Sequence, residues 1–210
     1  ELVALYFACA RLGAVISPIP VQYGSHDLAQ ITRALRPRAF VCCTKVRGCD
    51  HIAAAQGLLA GDCELMSFGP GAPASAFDLS RAAIGQRELR GYRRRTKIKA
   101  EDVFTICWTS GTTGAPKGVP RSHNHWVAIA PATYEPAGLR DGDVVLNPFP
   151  MINMASIGGV TMSWLHIAGT MVLHHPFDPS VYLGQISSER PAFTIAPPAM
   201  IPFQPQGANG

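Results

Sequence analysis

The sequence predicts an α/β fold, with alternating strands and helices forming largely parallel sheets covered by helices. Three observations carry that expectation. Short β-branched or aromatic runs alternate with stretches of helical spacing along the whole chain. Apolar residues make up 47% of the 210 residues and charged ones only 15%, enough to build a sizeable core. The run Val103-Phe104-Thr105-Ile106-Cys107-Trp108 reads as a buried strand feeding a loop of glycines and hydroxyls.

The elements follow in order. Residues 2–12 are apolar nearly all round, as in a buried helix. Ala14–Ile19 is a short strand. Ser25 can N-cap a helix whose Leu28, Ile31, Thr32 and Leu35 follow i, i+3, i+4, i+7 spacing, and Pro37 stops it. Ala39–Cys43 is a strand, residues 49–59 a helix and Cys63–Phe68 a strand. Residues 69–100 are rich in Gly and Pro and then basic, a surface excursion with a short helix near 78–85. Further on, a helix starts at Ser122, a strand covers Val144–Leu146 and a helix spans 154–168. A strand at Thr170–Leu173, a helix from Asp178 to Ser188 and a strand at Phe193–Ala196 complete the alternation.

The most specific feature is Thr109-Ser110-Gly111-Thr112-Thr113-Gly114-Ala115-Pro116-Lys117-Gly118. Its glycines let the backbone turn tightly and bring N–H groups close to an anion. Its hydroxyls add side-chain donors, and Lys117 adds a mobile point charge suited to phosphate oxygens. No Gly-Lys-Ser/Thr closes it onto a helix, so it is not a Walker A loop. A plain flexible linker fits poorly with Pro116-Lys117-Gly118 and the strand before it.

That run resembles the signature loop of the AMP-forming adenylating superfamily, which includes acyl- and aryl-CoA synthetases, peptide-synthetase adenylation domains and luciferases. The likeness extends along nearly the whole chain through weaker landmarks. Leu12-Gly13-Ala14-Val15 through Pro18 and Pro20 is similar to an upstream helix, Gly-Ala, strand, Pro segment. Ser122-His123 matches the Thr/Ser-His that follows the loop. Pro150-Met151-Ile152-Asn153 stands where the family usually has Pro-x-x-His, and Phe177-Asp178-Pro179 and Pro197-Pro198 fit later landmarks.

The resemblance implies ATP-dependent activation of a carboxylic acid, fatty or otherwise acyl, to an acyl-adenylate and then to a coenzyme A thioester. An aryl-acid or carrier-protein-loading adenylation domain is the alternative within the family; a non-catalytic nucleotide-binding remnant lies outside it. By resemblance, Thr109, Ser110, Gly111, Thr112, Thr113, Gly114 and Lys117 would wrap the β- and γ-phosphates of ATP. A Mg²⁺ ion would share that charge, and Lys117 would serve as the catalytic residue. The acid pocket is expected at Asn153, Met154 and Gly158, with Ile152 and Ile157 adding apolar lining. Asn153 replaces the usual His and cannot become cationic near neutral pH; it either contacts the acid or N-caps the following helix. The family's later motifs and its C-terminal domain do not appear. The chain therefore reads as a partial N-terminal AMP-binding domain over 1–210, truncated at both ends and not expected to catalyse alone.

Composition and spacing exclude several other classes. The net charge of +4 is mild and gathers in residues 87–99, where Arg87, Arg90, Arg93, Arg94, Arg95, Lys97 and Lys99 face a single Glu88. That run could contact nucleic acid or an anionic membrane, but without aromatic interleaving or a reader motif it reads as a solvated surface segment. Residues 144–177 contain no Asp, Glu, Lys or Arg, but Pro148, Pro150, Asn153 and Gly158-Gly159 break the stretch, so no membrane span is expected. The six cysteines show no paired CxxC spacing, no metal site is expected, and Cys9, Cys42 and Cys107 read as buried thiols. No signal peptide opens the chain, which makes a cytoplasmic setting the expectation. Gly69 to Ala74 mimics a dinucleotide fingerprint but lacks a helix opening there, His123-Asn124-His125 reads as a helix start, and His174-His175 as structural.

Overall fold

The computed structural model describes residues 1–46, 49–69, 71–109, 116–174 and 177–196. By its internal contacts the chain divides into two units. One comprises Glu1–Ala14, Ile19–Ile98 and Thr109–Gly118; the other comprises Val15–Pro18, Lys99–Trp108 and Val119–Gly210.

The first unit opens with α1 (Leu2–Leu12), closed by Gly13, whose φ of 68° places it in the left-handed region that spares glycine a steric penalty. Its N–H bonds back to the Cys9 carbonyl, which accounts for the Gly in the Leu-Gly-Ala sequence. Only Tyr6 of α1 is buried, while Phe7 and Leu12 are exposed, so the expected buried helix is a surface one. A helix apolar on all sides does not reveal which side will find cover. Helix α2 (Ser25–Leu35) buries Ile31 and Thr32 on the expected stripe, with Gly24 rather than Ser25 at the N-cap.

Strands β1 (Ala39–Cys43), β2 (Lys45–Val46) and β3 (Cys49–Asp50) follow, β2 and β3 pairing antiparallel. Asp50 then caps α3 (His51–Gln56) by accepting from the Ala53 N–H at 3.0 Å, which starts the helix two residues later than expected. β4 (Glu64–Phe68) pairs parallel with β1 and with β5 (Phe77–Asp78), in the order β1-β4-β5. Ile52 and Ala55 of α3 cover that sheet with Leu65 and Ala76, joined by Phe40, Cys42 and Leu59. A single 3₁₀ turn at Leu79–Arg81 stands where a short helix was expected. The basic run then forms a helix, α4 (Gln86–Arg95), that spacing alone did not announce. Arginine has high helix propensity, and Arg93, Arg94 and Arg95 lie where a helix C-terminus favours cations.

The second unit holds most of β6 (Val103–Thr109) and β7 (Lys117–Ser122), which pair as a two-stranded sheet. The expected strand at Ala14–Ile19 is reduced to one parallel bridge between Ile16 and Thr105, in which the Ile16 N–H bonds the Phe104 carbonyl and the Ile106 N–H bonds that of Ile16. Ser122 caps α5 (His123–Ile129), as its residue type predicted, and a short α6 (Pro131–Tyr134) follows. β8 (Val144–Asn147) is the centre of a parallel sheet. It is flanked by β9 (Thr170–Leu173) and β10 (Phe193–Thr194) in the order β10-β8-β9.

Successive strand residues point to opposite faces, and Val145 and Leu146 are both 0% exposed, so this sheet is covered on both sides. The expected helix over 154–168 is instead a π-helix at Ala155–Thr161 running into α7 (Met162–His166). Val160 and Ile167 from this segment pack on Val145. Asp178 caps α8 (Pro179–Glu189) through the N–H groups of Ser180 and Val181. His174 is structural: its Nε2 accepts from the Asp178 N–H at 2.7 Å beside Phe177 and Tyr182. Among the described residues no helix is long and apolar enough to cross a membrane, and no three His, Cys, Asp or Glu side chains group as metal ligands.

Candidate functional site

Two regions carry the residues singled out above. The first is the frame of the signature loop. Ser110, Gly111, Thr112, Thr113 and Gly114 lie outside the described residues, as do His175 and Pro197-Pro198. The two ends of the loop are described. Thr109 closes β6, Lys117 opens β7, and the Thr109 hydroxyl donates to the Lys117 carbonyl across a long 3.5 Å bond. Both residues are exposed, and Lys117 has no carboxylate partner among the described residues. An unneutralised ammonium at the mouth of a loop between paired strands is free to meet an anion.

What makes β6 a rigid lead-in is its buried side. Thr105 is fully buried, and its hydroxyl accepts from the indole N–H of Trp126 at 2.9 Å. Arg121 on β7 lays its guanidinium 5.5 Å from the centre of the Trp126 ring, and His123 stacks on Phe104 at 4.7 Å. Ser17 donates to the Ile106 carbonyl and receives the indole N–H of Trp108, tying the strand to a segment far back in sequence. Burial pushes the Cys107 thiol up, against the lowering pull of the Thr105 hydroxyl and the Arg121 cation, so this cysteine stays a neutral packing group. In the first unit, burial does the same to Cys42, raised to about 11 with help from Cys43 and Asp50.

At the turn after β7, Ser122 and His125 satisfy one another's backbone. The Ser122 hydroxyl accepts from the His125 N–H, and Nδ1 of His125 accepts from the Ser122 N–H at 3.1 Å. His125 thus fills the place Glu or Gln takes in a capping box. A Ser followed three residues later by a side chain with a ring acceptor was the signal that could have found it.

The second region lies at the carboxyl end of β8, where ligands of open α/β sheets bind. Asn147 ends the strand fully buried, with its amide bonded to the hydroxyl of Ser156 at 3.0 Å. Its Oδ1 accepts from Ser156 at 3.2 Å and from the Phe149 N–H at 3.3 Å. The Thr161 hydroxyl donates to the Ser156 carbonyl at 2.9 Å, bracing the π-helix from within. Asn147, Ser156 and Thr161 were not anticipated from sequence. An Asn at a strand end before Pro148 was the available hint.

The structure places the three expected pocket residues on this same segment in different surroundings. Asn153 is exposed, and its Oδ1 accepts from the Ser156 N–H at 3.0 Å, so it holds the start of the π-helix. Met154 beside it is exposed. Gly158 is buried against α5, where an added Cβ would come within 2.8 Å of the Ile129 side chain and 3.3 Å of Trp126. Replacing Asn153 by Ala is expected to cost about 1 kcal/mol of stability, and replacing it by Asp much less. Equal thermal midpoints for the two variants would show that the cap contributes nothing.

The AMP-binding enzyme family profile matches residues 1–203. The chain belongs to that family. Among AMP-binding enzymes, the indoleacetate–CoA ligase of Aromatoleum aromaticum is 29% identical over 201 residues, covering 96% of this chain and 38% of its own. The medium-chain fatty-acid–CoA ligase of Escherichia coli is 27% identical, covering 90% of this chain and 34% of its own. The solved structure of a long-chain-fatty-acid–CoA ligase from Archaeoglobus fulgidus superposes with a TM-score of 0.70 at 20% identity, over 91% of this chain and 36% of that one. That likeness bears on fold, and it agrees with the mixed α/β architecture and parallel sheets of this AMP-binding chain. The chain spans well under half the length of these relatives.

Proposed function

We propose that this chain is part of the N-terminal AMP-binding domain of an ATP-dependent, AMP-forming acid–thiol ligase. The protein would join a carboxylic acid to AMP with release of pyrophosphate, and then pass the acyl group to coenzyme A. The observation that carries this reading is the Thr109–Gly118 run, whose ends lie in two paired strands and whose Lys117 has no carboxylate partner among the described residues. In this reading Thr109, Ser110, Gly111, Thr112, Thr113, Gly114 and Lys117 grip the β- and γ-phosphates and neutralise charge on the leaving pyrophosphate. A Mg²⁺ ion would share the phosphate charge, with the nucleotide's phosphate oxygens and loop hydroxyls such as that of Thr109 as the groups able to hold it.

Asn153, Met154 and Gly158 belong to the acid-binding wall in this proposal. Met154 offers an exposed apolar surface, while Gly158 sets how closely the wall rests on Trp126 and Ile129. Relatives that act on indoleacetate and on medium-chain fatty acids support an apolar acid and leave ring and chain both open. A cytoplasmic setting belongs to the same reading, supported by the free thiols of Cys9, Cys42, Cys43, Cys63 and Cys107.

The test is ATP–pyrophosphate exchange by the full-length protein with a panel of indole, benzoic and straight-chain acids. Exchange driven by at least one acid, followed by AMP release when coenzyme A is added, is the expected result. Exchange without a coenzyme A response points to a carrier-protein thiol. No exchange with any acid leaves a nucleotide-binding remnant and ends the proposal. Replacing Asn153 by His then separates its two roles, since an unchanged acid profile assigns it to capping alone.

A further inference from the structure

Helix α4 carries a surface that the loop and the acid wall leave unexplained. Between Ile84 and Ile98 stand Arg87, Arg90, Arg93, Arg94, Arg95 and Lys97 against the single acid Glu88, all of them exposed. None of these cations makes an ion pair among the described residues. Arg87, Arg90 and Arg94 fall at i, i+3 and i+7, so they form one row along the helix. The opposite side holds the helix to its own unit: Leu89 is half-buried, and the Tyr92 hydroxyl donates to the Leu12 carbonyl at 2.8 Å. An exposed apolar residue stands at either end, Ile84 at 57% and Ile98 at 37% of full exposure.

We infer that α4 is a docking surface for an anionic phospholipid bilayer, on which the protein settles reversibly. Charge complementarity selects a polyanion, and the apolar residues choose between polyanions. A row of arginines near a negatively charged leaflet gains from each cation, and apolar residues flanking the row can enter the headgroup boundary. A single-stranded nucleic acid asks instead for stacking aromatics in the basic surface. The one aromatic here, Tyr92, has its hydroxyl engaged on the protein side. The helix lies along the surface and is too short to span the bilayer.

The experiment is sedimentation of the full-length protein with phosphatidylcholine vesicles made with and without phosphatidylglycerol. Binding is expected to the phosphatidylglycerol vesicles alone and to fall as salt is raised. The double variant Arg90→Gln/Arg94→Gln should partition roughly 30-fold more weakly. Ile84→Asn should weaken binding while leaving its salt dependence in place. The control Arg38→Gln/Arg140→Gln, with the same loss of charge at exposed arginines elsewhere, should bind like the parent. Circular dichroism confirms that each variant is folded. Equal binding to both vesicle types, parental binding by the double variant, or an equal loss in the control would overturn the inference. Tighter binding to a short RNA than to either vesicle would reassign the surface. ATP–pyrophosphate exchange measured without vesicles is expected to be unchanged in all variants, so failure of the ligase reading registers separately from failure of this one.

Discussion

Replacing Lys117 by Ala in the full-length protein should lower acid-dependent ATP–pyrophosphate exchange by about 10²- to 10³-fold, the loss typical of one preorganised donor to developing charge. Thioester formation from a supplied acyl-adenylate should fall far less, because pyrophosphate has already departed at that stage. The asymmetry follows from the position of the residue. Lys117 begins β7, is exposed, and has no carboxylate to neutralise it among the described residues. The Thr109–Lys117 bond joins the loop's two ends through the backbone carbonyl, which alanine retains, so the frame should survive the substitution. Single-turnover measurement of both half-reactions checks this. Equal losses in the two would remove Lys117 from the pyrophosphate and with it the main support for the ligase reading.

The second large effect is expected at the buried end of β8. Replacing Asn147 by Leu takes the amide partner from the buried Ser156 hydroxyl, which keeps only a long 3.4 Å bond to the Phe149 carbonyl, and from the half-buried Phe149 N–H. Losing a buried hydrogen-bond partner costs about 1–3 kcal/mol, and a loss of that order is expected in chemical denaturation. The substitution should also alter which acids support exchange, because Asn147 holds the segment that carries Asn153 and Met154. A parental denaturation midpoint would show that the Asn147–Ser156 pair adds nothing to stability.

How legible all this was in the sequence depended on how local the cause was. β1 and β9 matched their expected bounds, and Ser122 and Asp178 cap helices, because alternation and capping are written within a few residues. The signature loop was readable as a motif for the same reason. The π-helix was not. Ser156, Ile157, Gly158, Val160 and Thr161 are all buried, so no polar face marks a period. The winding is reinforced by a strand-end amide nine residues away and by a hydroxyl reaching back five. β7 was missed because Gly118 and Pro120 weaken any strand signal. α4 was missed because an unbroken basic run says little about its apolar side until Leu89 and Tyr92 find their places. In the candidate site, the motif residues were legible one by one, while the Thr105–Trp126 bond joins residues whose partnership only tertiary packing decides.

The segment Val15–Pro18 completes the second unit although its neighbours on either side belong to the first, and Thr109–Gly118 does the reverse. No contiguous stretch of the gene therefore encodes either unit. During synthesis Ser17 emerges long before Ile106, 89 positions downstream, with which it must pair. Closing so distant a contact makes assembly slow relative to local helix formation. A single cut between residues 19 and 102 parts Ile16 from its bridge to Thr105, and the two fragments should restore that bridge only when mixed.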